Sequence, residues 1–226
     1  MVKNLLNLFF PKVCLGCSAG LGDNENYICT SCRHLLPLTN FHLESNDTVK
    51  NVLYGRVKLE NAAALLHFSK KGIVQQLMHN LKYRGQEDVG LFLGKWLGEE
   101  LKAIESYKNI DVVIPVPLHR SKLRQRGYNQ VTKFGQEIAK ALDAEFNTKV
   151  LHKTMPTKTQ VFKDRLLRTS ADSATFSITE NQTLKGKHIL LVDDIITTGA
   201  TIETCSNALL NIEGVKLSVA VMAIAD

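Results

Sequence analysis

The chain has no stretch that reaches the roughly 18 consecutive apolar residues a membrane-spanning helix needs. Its longest apolar stretch near the start, Leu5 to Phe10, is interrupted by Asn7. Lys3 and that short stretch imitate the opening of a secretory signal. Pro11 and a cysteine pair, however, arrive before any small-residue cleavage site, so no signal is expected. Internal repeats and low-complexity tracts are absent. Cysteine is scarce, five residues in all, which excludes a disulfide-saturated chain. What remains is ordinary: 226 residues, 44% hydrophobic and 22% charged, as expected of one soluble globular core with a small appended module. The net charge of +6 points to an anionic partner.

Four of the five cysteines, Cys14, Cys17, Cys29 and Cys32, form C-x2-C-x11-C-x2-C. Two such knuckles place two thiolates on each side of a tetrahedron, the arrangement four-coordinate zinc takes. The alternative is two disulfides. A Cys-x-x-Cys pair makes a poor structural disulfide, and a chain without a signal is expected in the cytoplasm, where thiols stay reduced. Four thiolates leave no open position for water, so the expected zinc is structural. Binding it would lower the net charge from +6 to +4.

Alternation between Tyr54 and Ser69 predicts one or two strands, and Ile73, Val74, Leu77, Met78 and Leu81 repeat at helical spacing. A second helix is expected over 87–106, with Met78 and Trp96 as core positions and His79 at the surface or satisfied within the core. Beyond residue 109 strands and helices alternate, the pattern of a parallel sheet with helices on its faces. The predicted strands are Asp111 to Pro115, Asn147 to Leu151, His188 to Val192 and Lys216 to Ile224. The predicted helices are Tyr128 to Leu142 and Thr201 to Glu213, the second stopped by Gly214 and burying Cys205 as a core residue. A long polar segment, about 152–175, suits a functional lid or local disorder. The expected division is a zinc-binding module and connector over 1–50 and an α/β domain over 51–226.

The most specific string runs from Ile189 to Thr201. An apolar strand meets Asp193 and Asp194, then a loop of small and hydroxyl-bearing residues, Thr197-Thr198-Gly199-Ala200-Thr201, opens a helix. A helix start offers unpaired N–H groups and a positive dipole end, and a glycine lets phosphate approach the backbone. A phosphate monoester would be held there without a lysine. The carboxylates repel phosphate, so they suit vicinal sugar hydroxyls or a magnesium ion.

Residues 190–201 resemble the 5-phosphoribosyl-1-diphosphate (PRPP) loop of the type I phosphoribosyltransferases. Ile114 to Arg120, Arg124-Gln125-Arg126-Gly127-Tyr128-Asn129-Gln130, Lys82-Tyr83-Arg84-Gly85, Lys158-Thr159-Gln160, Asp164-Arg165-Leu166 and the cysteine quartet are similar to the ComF/ComFC competence proteins, over nearly the whole chain. The resemblance implies a phosphoribosyltransferase-like parallel sheet. Asp193 and Asp194 would serve ribose hydroxyls and magnesium, Thr197 to Thr201 the 5-phosphate, and Pro115, Val116 and Pro117 with Arg120 the diphosphate. It also implies a role in natural transformation, handling single-stranded DNA as it enters the cytoplasm, beside a helicase partner and at the inner face of the membrane. His152-Lys153 and Ser173-Ala174-Thr175-Phe176 depart from the family's closing loop, which argues against retained chemistry there.

Arg120, Lys122, Arg124 and Arg126 fall within seven residues, with Tyr128 beside them. Cations for phosphates and a ring for bases are the equipment of single-strand binding. Two functions follow: a PRPP-binding protein that handles single-stranded DNA, or a magnesium-dependent phosphoribosyltransferase of unknown acceptor, for which no segment reads as a nucleobase pocket.

Overall fold

Two apolar strands form the centre of the protein. β6 (His188–Ile196) and β7 (Lys216–Ala225) pair in parallel, and their runs of Ile, Leu, Val and Ala suit strands buried on both faces. The computed structural model describes residues 12–44, 46–154, 175–179 and 181–225. Leu5 to Phe10, Lys158 to Gln160, Asp164 to Leu166 and most of the predicted lid lie outside them.

Around this pair, β1 (Ala62–Phe68), β2 (Val112–Pro115) and β3 (Glu145–Phe146) complete a five-stranded parallel sheet of order β1-β7-β6-β2-β3. One face is covered by α3 (Ile73–Tyr83), α4 (Asp88–Lys102) and α6 (Thr132–Leu142), whose Leu77, Leu93 and Phe134 meet Leu190 and Val192. The opposite face is covered by α8 (Ala200–Leu210), the short α2 (Thr48–Asn51) and an antiparallel ribbon of β4 (Leu151–Thr154) and β5 (Thr175–Ile178). The short α7 (Asn181–Leu184) leads into β6. Cys205 is fully buried on α8, as its spacing predicts, Met78 is buried, Trp96 packs against the first core, and His79 is exposed.

Helix α4 carries Gly90, Gly94 and Gly98 toward α6. A Cβ at Gly94 would stand 2.6 Å from the Phe134 carbonyl oxygen, so the two helices meet backbone to backbone at a distance only glycine permits.

Several predicted boundaries change for local reasons. The strand expected over Asn147 to Leu151 falls instead on the turn between β3, which ends at Phe146, and β4, which begins at Leu151: Asn147 Oδ1 accepts the Lys149 N–H at 2.9 Å, and this side-chain turn separates the two strands. The helix expected from Tyr128 begins at Thr132, because Asn129 is engaged by its side chain with Val116 O at 3.0 Å. Ahead of it stands the separate helix α5 (Arg120–Arg126), closed by Gly127 at φ 80°. The strand expected to end at Val192 continues to Ile196, so both carboxylates are strand residues. Part of the expected lid, residues 152–154 and 175, is paired strand.

The cysteine-bearing segment contains α1 (Thr30–His34) and rests on the first core. Cys14, Leu15, Ile28 and Cys32 pack with α3 residues, and Asn80 Nδ2 donates to Leu15 O at 2.8 Å. Among the described residues no helix is long and apolar enough to cross a membrane.

Candidate functional site

At the end of β6 the alternation of a strand sends neighbouring carboxylates to opposite faces of the sheet. Asp194 turns toward α3, where Lys82 Nζ lies 2.8 Å from its Oδ2 and the Ile195 N–H is 2.7 Å from its Oδ1. Both oxygens are thereby engaged. Asp193 takes the Asp194 N–H on Oδ1 at 2.8 Å and makes no hydrogen bond through Oδ2 among the described residues. Burial pushes the Asp193 carboxyl up to about 7, and the charge of Asp194 adds to the rise. The Asp194 N–H and the lysines Lys82 and Lys153 pull against it.

The loop that follows is exposed at Thr197, Thr198, Ala200 and Thr201, while Gly199 is buried. Gly199 caps α8 at φ 76°, a conformation side chains other than glycine rarely adopt, and a Cβ there would stand 2.6 Å from Leu53 Cδ2. The backbone therefore turns tightly onto Leu53, and the first amides of α8, as at any helix start, have no partner within the helix. Arg56 fixes this turn from the side: its guanidinium donates to Thr198 O at 2.8 Å, pairs with Glu203 at 2.5 Å and also donates to Val52 O. No spacing in the sequence marked Arg56, because the contact spans 142 residues.

The proline turn lies beside this strand end. Pro115 pairs with Val192, and the Val116 N–H donates to Val192 O at 2.9 Å. Asn129 Nδ2 holds Val116 O from the other side. Pro115, Val116 and Pro117 thus leave the sheet next to Asp193, and exposed Arg120 opens α5 just beyond.

The basic residues of α5 are placed differently from the ring assigned to them. Arg120, Lys122 and Arg124 are exposed and have no ion-pair partner among the described residues. Tyr128 is partly buried, its hydroxyl donates to Leu81 O, and burial raises its pKa. That ring is committed to the protein interior.

In the amino-terminal segment the four sulfurs of Cys14, Cys17, Cys29 and Cys32 all lie within 4.8 Å of one another and can hold one metal ion. No cysteine pair is bonded as a disulfide. Cys14 Sγ accepts the N–H groups of Gly16 at 3.3 Å and Cys29 at 3.2 Å. Burial works against a thiolate at Cys14, but the amides of Cys29, Cys17 and Gly16 outweigh it and bring the thiol to about 7. Cys32 is driven upward by burial and by its neighbouring cysteines. One thiolate is favoured, and a cation is needed to hold the rest.

The sheet and its strand-end loop are those of a phosphoribosyltransferase-like protein, and residues 132–226 match the phosphoribosyl transferase domain. The chain is 23% identical over 214 residues to Competence protein F of Haemophilus influenzae, covering 89% of this chain and 92% of that one. It is 27% identical over 137 residues to the DNA utilization protein YhgH of Escherichia coli O157:H7, covering 59% of this chain. The chain spans 60% of the length of that relative. A purine phosphoribosyltransferase from Pyrococcus horikoshii superposes with a TM-score of 0.38 at 20% identity, covering 62% of this chain and 73% of that one. The relatives and the matched domain together support a ComF-family protein built on the phosphoribosyltransferase fold.

Proposed function

We propose that the protein binds PRPP or a related ribose phosphate at the end of β6 and acts in natural transformation on incoming single-stranded DNA. The observation that carries the first part is the juxtaposition of two carboxylates, an exposed threonine-rich turn and a glycine-capped helix start at one strand end. The amides of Thr197 to Thr201 would take the 5-phosphate, Asp193 the ribose hydroxyls while Asp194 is held by Lys82 on the other face, and the Pro115 to Pro117 turn with Arg120 the diphosphate. Magnesium fits beside Asp193, whose Oδ2 has no hydrogen-bond partner among the described residues, since this ion usually rests on one or two carboxylates plus substrate phosphates. When bound it would offset the charge of the diphosphate.

Zinc fits the cysteine cluster. Sulfurs about 2.3 Å from a tetrahedral centre stand roughly 3.8 Å apart, and Cys17 and Cys29 are 3.8 Å apart. The competence role rests on the relatives and on the cations of α5, of which Arg120, Lys122 and Arg124 have no ion-pair partner among the described residues, and a helicase partner on the cytoplasmic side would deliver the strand there.

Calorimetric titration of the zinc-loaded protein with PRPP and magnesium, beside the Asp193→Asn, Asp194→Asn double variant, tests the first part. Micromolar binding lost in the variant is expected, and no binding by the unaltered protein would overturn it. Titration with single-stranded DNA over a range of salt tests the second. Affinity should fall by roughly 0.7 log units per log unit of salt for each phosphate neutralised, and salt-insensitive or absent binding would contradict it.

A further inference from the structure

Helix α5 is an unusual helix to find on a folded surface. None of its residues is buried, and four of its seven are cationic. It contributes little to the core, and it is held by local devices: His119 Nδ1 accepts the Ser121 N–H at 3.3 Å, and Gly127 closes its end. Mutual repulsion of four cations on two turns opposes it, so its charge is better explained by an external anion than by stability.

Beside it stands a second exposed feature. Tyr83, the last residue of α3, is 63% exposed although its ring is large and apolar. The Arg126 guanidinium lies 5.4 Å from its ring centre, and the His79 ring lies 5.2 Å away, tilted by 46°. Arg84, next in the chain, is also exposed. Arg126 therefore joins the tyrosine to the basic helix as one surface of cations around an open ring.

We infer that Tyr83, flanked by Arg126 and His79, is the platform on which a base of a single-stranded nucleic acid stacks while Arg120, Lys122 and Arg124 take its phosphates. The inference rests on the proposal that single-stranded DNA is the partner, and it names the stacking residue. A duplex hides its base faces, so a basic surface that presents a 63% exposed tyrosine ring favours an unpaired strand. Tyr128, with its hydroxyl tied to Leu81 O, positions the end of α3 and leaves the stacking to its neighbour.

Fluorescence anisotropy with a labelled oligodeoxythymidylate of about 20 nucleotides, and with a base-free strand of the same length, tests this. Tyr83→Leu, which keeps apolar bulk and removes the π-face, should weaken oligodeoxythymidylate binding about 5- to 100-fold and leave the salt slope unchanged. Tyr83→Phe should restore it, and the base-free strand should bind both forms alike. Arg124→Ala should instead weaken both strands and reduce the salt slope by roughly 0.7. If the unaltered protein binds oligodeoxythymidylate and Tyr83→Leu binds it equally well, the inference fails while the DNA reading stands. If the unaltered protein binds no oligonucleotide, or prefers a duplex, the DNA reading falls and the inference with it.

Discussion

Two clusters of acidic side chains, the cysteine quartet and the strand-end carboxylates, are built on opposite plans. In the first, four sulfurs converge within 4.8 Å, two of the residues are buried, and backbone amides point at Cys14. In the second, neighbouring carboxylates diverge to opposite faces of the sheet, and an exposed turn follows them. A cluster that closes on itself can take one ion and nothing more, which suits a staple. A cluster that diverges and opens leaves an acceptor for an incoming molecule, at the cost of holding charge in an unfavourable place.

Removing the staple should have the largest effect. Chelation of zinc, or Cys32→Ser, should lower the thermal midpoint by more than any single substitution at the strand end, because metal binding is folding energy for such modules. Metal analysis should give one zinc per chain. A chelated protein with an unchanged midpoint would place the stability elsewhere.

Gly199→Ala comes next. The alanine must hold φ 76° and displace Leu53, so a loss of about 1–3 kcal/mol in urea unfolding is expected, with weakened PRPP binding. Lys82→Met should follow with a loss of roughly 1–3 kcal/mol, since it leaves the shielded Asp194 carboxylate without its cation.

The effect of opposite sign, and the one that best separates the two plans, is a stabilisation. Asp193 in the folded protein, free of divalent cation, titrates near 7, against 3.8 for the ordinary carboxyl. Between those values the folded state keeps a proton that the unfolded chain has released. Asp193 therefore favours folding less and less as pH rises across this window, and the loss is complete above about 7. Asp193→Asn should raise the urea midpoint at pH 8 and leave it nearly unchanged below pH 4. An equal shift at both pH values would show that the carboxyl is not strained by its surroundings.

The cysteine quartet and the Asp193 to Thr201 string were legible because each packs its chemistry into a short stretch whose spacing is itself the geometry. The parallel sheet was legible because strands buried on both faces are continuously apolar. Boundaries set by side-chain hydrogen bonds, such as those of Asn129 and Asn147, were not, since periodicity does not register them. Arg56 and Lys82 escaped as site residues because their partners lie more than a hundred positions away. Tyr128 reads as the stacking ring because it is adjacent in sequence to the basic run, and in the fold it is partly buried with its hydroxyl on Leu81 O. Tyr83 is the more exposed ring beside Arg126, a neighbourhood that spacing does not register.

The most direct measurement is amide NMR of the zinc-loaded protein on addition of PRPP with magnesium. Perturbations centred on Asp193, Asp194 and the amides of Thr197 to Thr201, saturating together, are predicted. Saturating perturbations confined to α5 or the cysteine segment, or none at all, would contradict a ribose-phosphate site at the end of β6.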